Sequence, residues 1–537
     1  MITKKDDLEQ IKKYFIENQK DKIQIKIAMS VCAKSSGSEK IYNYFLEEIK
    51  KKNLDIEIIP TGCMGFCYCE PTLKVVDPKS KEVKIIGEVT IEKSKNILDK
   101  IVKNEKIEGD VTPRVNEKRV SLLNCGDINP ESFEAAISRG AYFSLENILT
   151  NFSRENIVDS VEKSGLRGRG GAGYPTGKKW RALYENKDEE KYIVCNADEG
   201  DPGAFMDRSI LAGDPHLVLE GIIIGGYAVG AQEGIIYIRA EYPQAIDMLL
   251  KGIEDLKKHG ILGNNIFGTN FSFNIELKYG AGAFVCGEET ALIQSMEGKR
   301  GEPKAKPPYP VELGFRGKPT VVNNVETLAN ITRIFQNGVE WYRKIGTYKS
   351  PGTKIFALVG KIEKVGLVEV PLGTKLEDII YKIGGGIKNG KKFKAVQTGG
   401  PSGGCLSDED LNISVEYDEL VKRGAMMGSG GLIVLDEDDC MVEMAKFYIG
   451  FSVGESCGKC TPCRIGTKRL YELLDKILSR NGEMKDLNLL EELSITVRRA
   501  SLCGLGKSAP NPVLSTLKKF KNEYLEKIER RWFFCLK

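Results

Sequence analysis

Histidine is almost absent from this sequence: His216 and His259 are the only two in 537 residues. Neither stands at a metal-ligand spacing or beside a nucleophile. That excludes a histidine-based hydrolase and a His-ligated zinc enzyme, and leaves packing or exposure as the role of both. Excess charge is lacking too. The 79 Lys and Arg face 75 Asp and Glu, a formal net charge of +4, too balanced for a surface that binds nucleic acid or anionic lipid. The longest uncharged apolar run, Gly221 to Ala231, falls well short of the roughly 20 residues of a membrane span. The opening stretch MITKKDDLEQIKK mixes acids with bases and has no apolar core, unlike a secretory signal. These absences predict a cytoplasmic protein with no direct membrane insertion and no nucleic-acid partner.

Length, cysteine and glycine are plentiful. A chain of 537 residues exceeds what one core organises and predicts three or four modules. Its 14 cysteines, without a signal peptide, point to metal, cluster or thiol chemistry rather than a disulfide framework.

The stretch Gly165 to Trp180 holds six glycines and four cationic side chains, a composition that brings backbone N–H groups against a phosphate. Gly168, Gly170 and Gly173 satisfy G-x-G-x-x-G, but a dinucleotide fingerprint requires a preceding strand. Here Ser153 to Ser164 has a cap and the apolar spacing of a helix. A Walker A loop fails as well, since Lys179 follows Gly177-Lys178. The loop reads as an anion cradle outside both common nucleotide folds.

Around it the chain divides as follows. After a charged lead-in helix, alternating Ile23, Ile25 and Ile27, a helix Ser38 to Lys51 and runs Leu54 to Ile59, Thr72 to Val76 and Val83 to Ile86 predict a small α/β module over 1–110. Its thiols are Cys32, Cys63, Cys67 and Cys69. Four thiolates from two loops suit a 2Fe-2S cluster, or zinc. Residues 111–130 are polar, irregular and carry Pro113 and Pro130, so they read as a linker. Residues 131–345 contain the glycine loop, a strand Tyr192 to Cys195 running into the acids Asp198, Glu199 and Asp201, a strand Gly234 to Arg239, a helix Tyr242 to His259, and a glycine turn feeding a helix near Glu288. Acids after a strand are where α/β folds place ligand contacts, although a solvated turn looks the same in sequence. Glu288 and Glu289 in a first helical turn are favourable through the helix dipole alone. Residues 346–440 are short β-like runs rich in glycine, with no catalytic constellation.

Residues 441–537 carry the sharpest local signal. Cys457, Cys460 and Cys463 stand at C-x-x-C-x-x-C, and Cys503 follows about 40 residues on, between helices Thr467 to Leu478 and Leu487 to Arg499 and the chain end. Four thiolates at this spacing suit a 4Fe-4S cluster, with structural zinc as the alternative.

The segments around the glycine loop, Asn196 to Phe205, Gly280 to Leu292, Lys304 to Pro310 and Pro319 to Thr327 together resemble the flavoprotein that oxidises NADH in respiratory complex I, NAD-linked hydrogenases and formate dehydrogenases. The likeness spans about residues 120 to 520. It implies an α/β multidomain protein: a thioredoxin-like ferredoxin domain, an FMN- and NADH-binding α/β domain, a β-grasp (SLBB-like) domain and a helical bundle carrying the 4Fe-4S cluster. It places FMN on Gly168, Arg169, Gly170 and Gly171, with Lys179, Asn196, Asp198, Glu199, Asn323 and Asn324 around the isoalloxazine. It stacks the adenine of NAD(H) between Tyr174 and Tyr309, where the family has phenylalanine, and either ring offers the same face. Asp201, Glu288, Glu289 and Lys306 are assigned to the same dinucleotide.

The first module resembles the thioredoxin-like 2Fe-2S domain found elsewhere as a separate subunit. The family has a further cysteine near Ile27-Ala28, which is absent here. Either Cys69 substitutes as the fourth ligand or the module serves for docking without a cluster. Cys125, Cys195, Cys286, Cys405 and Cys440 have no partner spacing and read as structural. Hydrogenase-linked relatives often continue past Arg530 to Lys537 into a two-cluster ferredoxin domain, and this sequence stops without it.

The implied function is NAD(P)H oxidation, or the reverse, through FMN to the 4Fe-4S cluster. Hydride transfer needs a flavin against a nicotinamide rather than an acid–base pair, in keeping with the scarcity of histidine. The implied partners are a small thioredoxin-like 2Fe-2S subunit and a hydrogenase or other acceptor subunit. The same flavoprotein in a quinone reductase or formate dehydrogenase, and a non-enzymatic zinc-binding docking protein, are the competing readings.

Overall fold

The computed structural model describes residues 2–78 and 82–529; the segment Arg530 to Lys537 lies outside them. Three sheets organise the chain. In the first, β1 (Ile23–Ala28) pairs in parallel with β2 (Ile56–Thr61) and antiparallel with β3 (Leu73–Val76), which pairs with β4 (Val83–Ile86). The alternation of Ile25 and Ile27 with polar neighbours puts both isoleucines in the core with Ile41, Phe45 and Leu98 of the flanking helices.

The second sheet is wholly parallel, in the order β7-β6-β5-β8. Its strands are β5 (Tyr192–Ala197), β6 (Glu233–Arg239), β7 (Asn274–Gly280) and β8 (Thr320–Asn324). The chain winds from β5 outward to β7, then returns to the other side of β5 for β8. That reversal opens a crevice at the carboxyl ends of β5 and β8, the usual ligand position in such sheets. Asn196 faces Asn324 across it in register. The apolar run of the sequence lies in helix Pro215–Val229, which is buried on nearly every face and forms the centre of the main core.

The third sheet runs β10-β9-β13-β11-β12: β9 (Thr353–Gly360), β10 (Gly366–Pro371), β11 (Phe393–Thr398), β12 (Gly404–Ser407) and β13 (Gly431–Asp436). Helices Met441–Gly454, Lys468–Leu478, Met484–Ala500 and Asn511–Lys519 then pack around Leu470, Leu474, Leu490 and Val513.

The segment read as a polar linker is irregular, and largely exposed up to Lys118, but its second half is packed in. Val120, Ser121, Leu122 and Cys125 are buried. The backbone N–H groups of Val120, Ser121 and Leu122 donate to the buried Glu369 carboxylate of β10, each at 2.9 Å. Arg114 donates to Leu367 O at 2.6 Å, and Arg119 to Met64 O at 2.7 Å. These residues are a seam between the first module and the third sheet. An anchor from a residue some 250 positions away gives no local signal.

Both histidines are packing residues. His216 is buried with Nδ1 2.7 Å from Tyr142 Oη, and burial lowers its pKa to about 4. His259 stacks on Phe133 with centroids 4.4 Å apart. Cys125, Cys195, Cys286 and Cys405 are buried and Cys440 is half-buried.

Candidate flavin and cluster site

A cavity of about 230 Å³ occupies the crevice between β5 and β8. The glycine loop forms one wall. Gly168 N donates to Tyr174 O at 2.8 Å and Arg167 bridges Pro175, closing the loop as a tight hairpin. Gly170 packs so closely on Asn324 that a Cβ there would lie 2.9 Å from the Asn324 Cβ, whereas a Cβ on Gly171 would meet nothing within 4 Å. Gly171 is therefore the face open to a phosphate. Helix Thr176–Glu185 follows.

The opposite wall is built by the β5 acids. Asp198 is 1% exposed, and neither of its carboxylate oxygens has a hydrogen-bond partner. Burial raises its pKa to about 7. A buried, unpartnered carboxyl on a cavity wall is costly unless a ligand completes it, and an N–H of a flavin ring is a suitable donor. Asn196 donates from Nδ2 to Gly287 O at 3.0 Å and accepts from Asp198 N at 3.0 Å, which holds the β5 end in place.

Several predicted contacts have other work. Arg169 does not reach the cavity. Its guanidinium is fully buried and donates to Thr353 O at 3.0 Å, Arg167 O at 2.7 Å, Tyr342 Oη at 2.9 Å and Pro351 O at 2.8 Å, bolting the glycine loop to the third sheet. Asn323 turns its Oδ1 to Trp180 Nε1 at 2.9 Å. Asn324 caps helix Val325–Asn337 through Oδ1 and donates from Nδ2 to Asp207 at 2.6 Å. Glu199 lines the cavity, yet its carboxylate accepts from the N–H groups of Asp207 at 2.6 Å and Arg208 at 3.1 Å, starting helix Met206–Gly213. Asp201 lines the cavity too, where its carboxylate pairs with the hydroxyl of Ser429. Burial raises its pKa to about 6.

Four charges gather at the start of helix Glu289–Met296. Glu289 lies 3.2 Å from Lys179 Nζ and 2.7 Å from Lys306 Nζ, and Glu288 lies 2.9 Å from Lys306. Glu288 is the N-cap, accepting from Thr290 N at 2.9 Å and Ala291 N at 3.0 Å; the dipole reading placed it one residue too deep. Burial pushes Glu289 up, but Lys179 and Lys306 outweigh it, so its carboxyl stays below the usual range. Tyr174 and Tyr309 are 58% and 51% exposed, leaving ring faces free to stack.

The third sheet, which showed no constellation in sequence, contributes the roof through Gly399, Ser402, Met426, Gly428 and Ser429. Only the proximity of Gly399-Gly400 to Pro401 hinted at a special turn there. The remaining wall is Gly504 and Leu505, directly after Cys503. Cys463 is buried with Leu505, Val285 and Cys286, and Cys457, Cys460 and Cys503 pack against the same cluster. Burial pushes the Cys463 thiol up to about 11, relieved by Ser456 Oγ at 3.3 Å and reinforced by Cys460, Cys503 and Cys457. Arg300 and Arg464 hold the loop by donating to Cys457 O and Gly458 O at 2.7 and 2.6 Å. Among the described residues no three His, Cys, Asp or Glu side chains converge as ligands of a single ion. A cubane needs no such convergence, because each of its four thiolates binds a different iron.

In the first module, the Cys67 thiol beside Cys32 and Cys63 holds both below the usual thiol range. Cys69 does not join them. It is buried with Ala28, Ala33, Met64 and Phe66, and its Sγ donates to Phe66 O at 3.5 Å.

Comparison with known proteins identifies the FMN and 4Fe-4S groups. Residues 161–333 match the Nuo51 FMN-binding domain, and residues 443–527 match the NADH-ubiquinone oxidoreductase-F iron–sulfur binding region. Over 413 residues, 77% of this chain and 84% of the relative, the sequence is 58% identical to NADP-reducing hydrogenase subunit HndC of Solidesulfovibrio fructosivorans. The chain belongs to the NADH-ubiquinone oxidoreductase-F family. The F protein of NADH-quinone oxidoreductase from Aquifex aeolicus (strain VF5) is 47% identical over 73% of this chain and 90% of its own length. The crystal structure of an NAD+-reducing NiFe hydrogenase in the H2-reduced state superposes with a TM-score of 0.69 at 30% identity, covering 94% of this chain and 84% of that one. As a member of this family the chain carries FMN and a 4Fe-4S cluster, and the zinc reading of Cys457, Cys460, Cys463 and Cys503 falls away. The open face at Gly171, the unpartnered Asp198 and the four grouped thiols fit those two groups.

Proposed function

We propose that this protein exchanges electrons between NAD(P)H and a partner subunit of a soluble hydrogenase-type assembly, by way of FMN and the 4Fe-4S cluster. One arrangement carries the reading: Gly504 and Leu505, beside the cluster ligand Cys503, line the same cavity as Gly170, Gly171 and Asp198. Bound FMN would supply the conversion of a hydride into two single electrons, and a 4Fe-4S cluster held by Cys457, Cys460, Cys463 and Cys503 would supply a one-electron acceptor. The chain's residues orient and enclose. Gly171 receives the phosphate, Asp198 holds the flavin edge, and Tyr174 and Tyr309 stack the adenine. Lys179, Lys306, Glu288 and Glu289 meet the riboses and phosphates, and the Met426 to Ser429 turn excludes water.

The hydrogenase setting rests on the relatives named as hydrogenase proteins. A complex I-type quinone reductase is the alternative, because an NADH-quinone oxidoreductase relative is 47% identical. The module boundaries read from the sequence, a cytoplasmic location and a small thioredoxin-like 2Fe-2S partner belong to the same proposal. Among the described residues no helix is long and apolar enough to cross a membrane. The test is anaerobic purification followed by NADH or NADPH addition. Bleaching of a bound flavin together with appearance of a reduced 4Fe-4S signal in electron paramagnetic resonance (EPR) is expected; a protein that holds both groups and responds to neither nucleotide refutes the proposal.

A further inference from the structure

The first module gathers three thiols, Cys32, Cys63 and Cys67, and leaves Cys69 in a separate core. A two-iron cluster takes four ligands, so one donor is missing from the thiol set. The family position for it is the end of β1, here Ile27 and Ala28, both buried and neither able to ligate. What lies next to that strand end is the Glu70 loop. Ala28 N donates to Thr72 O at 3.1 Å. Thr72 in turn donates to Glu70 Oε2 from its backbone N at 2.7 Å and its hydroxyl at 2.9 Å. The other oxygen, Glu70 Oε1, is buried with no hydrogen-bond partner.

We propose that the Glu70 carboxylate is the fourth ligand of a 2Fe-2S cluster held by Cys32, Cys63 and Cys67, and that Cys69 takes no part. The inference deepens the reading of this module as a cluster carrier. An orphaned buried carboxylate oxygen is costly unless something binds it, and iron accepts carboxylate oxygen beside thiolate sulfur. The carboxylate interacts electrostatically with Cys32 and Cys63 as well as with its neighbour Cys69, so charge alone does not choose among the thiols and the orphaned oxygen carries the assignment. Cys69 packs against Gly87 instead, where a Cβ would lie 2.9 Å from its Sγ. Arg208, near Cys32 and resting 5.5 Å from the Tyr242 ring centroid, offsets the negative charge such a ligand set carries.

The test uses the full chain, purified and reconstituted anaerobically, with iron content and EPR as readouts. Wild type is expected to hold about six irons per chain, four in the cubane and two in the first module. Glu70→Gln should drop to about four and lose the 2Fe-2S signal while FMN and the 4Fe-4S signal persist, which also shows that the chain has folded. Cys69→Ala should keep all six. Two results overturn the inference separately. A wild type with only four irons removes the cluster from the module altogether. Six irons retained in Glu70→Gln with an unchanged spectrum, or lost in Cys69→Ala, leave the cluster in place but strike Glu70 from its ligands.

Discussion

Glu289 offers the most quantitative handle on cofactor choice. Its carboxylate sits between Lys179 and Lys306 at 3.2 and 2.7 Å, with Glu288 on the far side of Lys306. Two cations and two anions balance to zero, so a nucleotide approaching this cluster meets no net charge. Replacing Glu289 by glutamine leaves a net charge of +1. A unit charge about 4 Å from a 2′-phosphate is worth about 4 kcal/mol at an effective dielectric of 20 and about 1 kcal/mol at that of water. The Glu289 side chain is 22% exposed, so the effect lies between these limits. The expected outcome is a rise of at least about fivefold in the ratio of kcat/KM for NADPH to that for NADH, the fold-change of about 1 kcal/mol, with the absolute NADH value falling. Because Glu289 titrates below the ordinary carboxylate range, it stays charged above about pH 5. The wild-type ratio should therefore be flat from about pH 7 to 9 on this account, since below that range the 2′-phosphate, with a second pKa of about 6, changes charge as well. Diaphorase assays of both proteins with ferricyanide supply the numbers. An unchanged ratio in Glu289→Gln refutes the argument. A wild type that already prefers NADPH shows that Lys179 and Lys306 do more than neutralise.

Other perturbations follow from the cavity walls. Asp198 is raised from 3.8 to about 7, so the flavin-free fold favours its protonated form and loses stability as pH rises from about 4 to 7. Asp198→Asn should raise the Tm of the apoprotein at about pH 8 by an amount worth a few kcal/mol, do nothing at about pH 4, and weaken FMN binding; equal Tm shifts at both pH values contradict this. Arg169→Ala leaves four acceptors, three of them in buried bonds, without their donor and should cost about 3 to 5 kcal/mol in denaturant unfolding, with Arg169→Lys unable to restore the planar fork. Gly170→Ala forces its new carbon against Asn324, so FMN should dissociate at least tenfold faster in a fluorescence release assay while secondary structure is kept.

The sequence disclosed those parts of the site whose chemistry is local. The glycine loop, the Cys457-Cys460-Cys463 triplet and the acids after β5 are each legible within a dozen residues, because close backbone approach, iron ligation and strand-end acids impose short patterns. The side chains assigned by the same motifs were less faithful to them. Arg169 looks like a phosphate ligand until its acceptors on Pro351 and Thr353 come into view, and Asn323 until Trp180 takes its oxygen. Met426 and Ser429 were invisible as wall residues, since only the packing of the third sheet against β5 brings them over the cavity. β8 and β12 are short and end in asparagine or serine, so their alternation is too brief to read. Helix Pro215–Val229 has no polar face and therefore no helical period, and it showed only as an apolar run. Cys69 stood close to the matched cysteines in sequence at an unusual spacing, and only the structure shows it buried with Ala28, Ala33, Met64 and Phe66.

The central claim is that the flavin cavity and the cluster form one electron path, with the cluster downstream. Anaerobic stopped-flow reduction of Cys460→Ser by NADH, in a preparation that retains FMN, tests it directly. The account predicts that the flavin still bleaches at close to the wild-type rate while delivery of electrons to a protein acceptor is abolished. A variant whose bound flavin no longer reduces, or one that still feeds the acceptor at the wild-type rate, contradicts it.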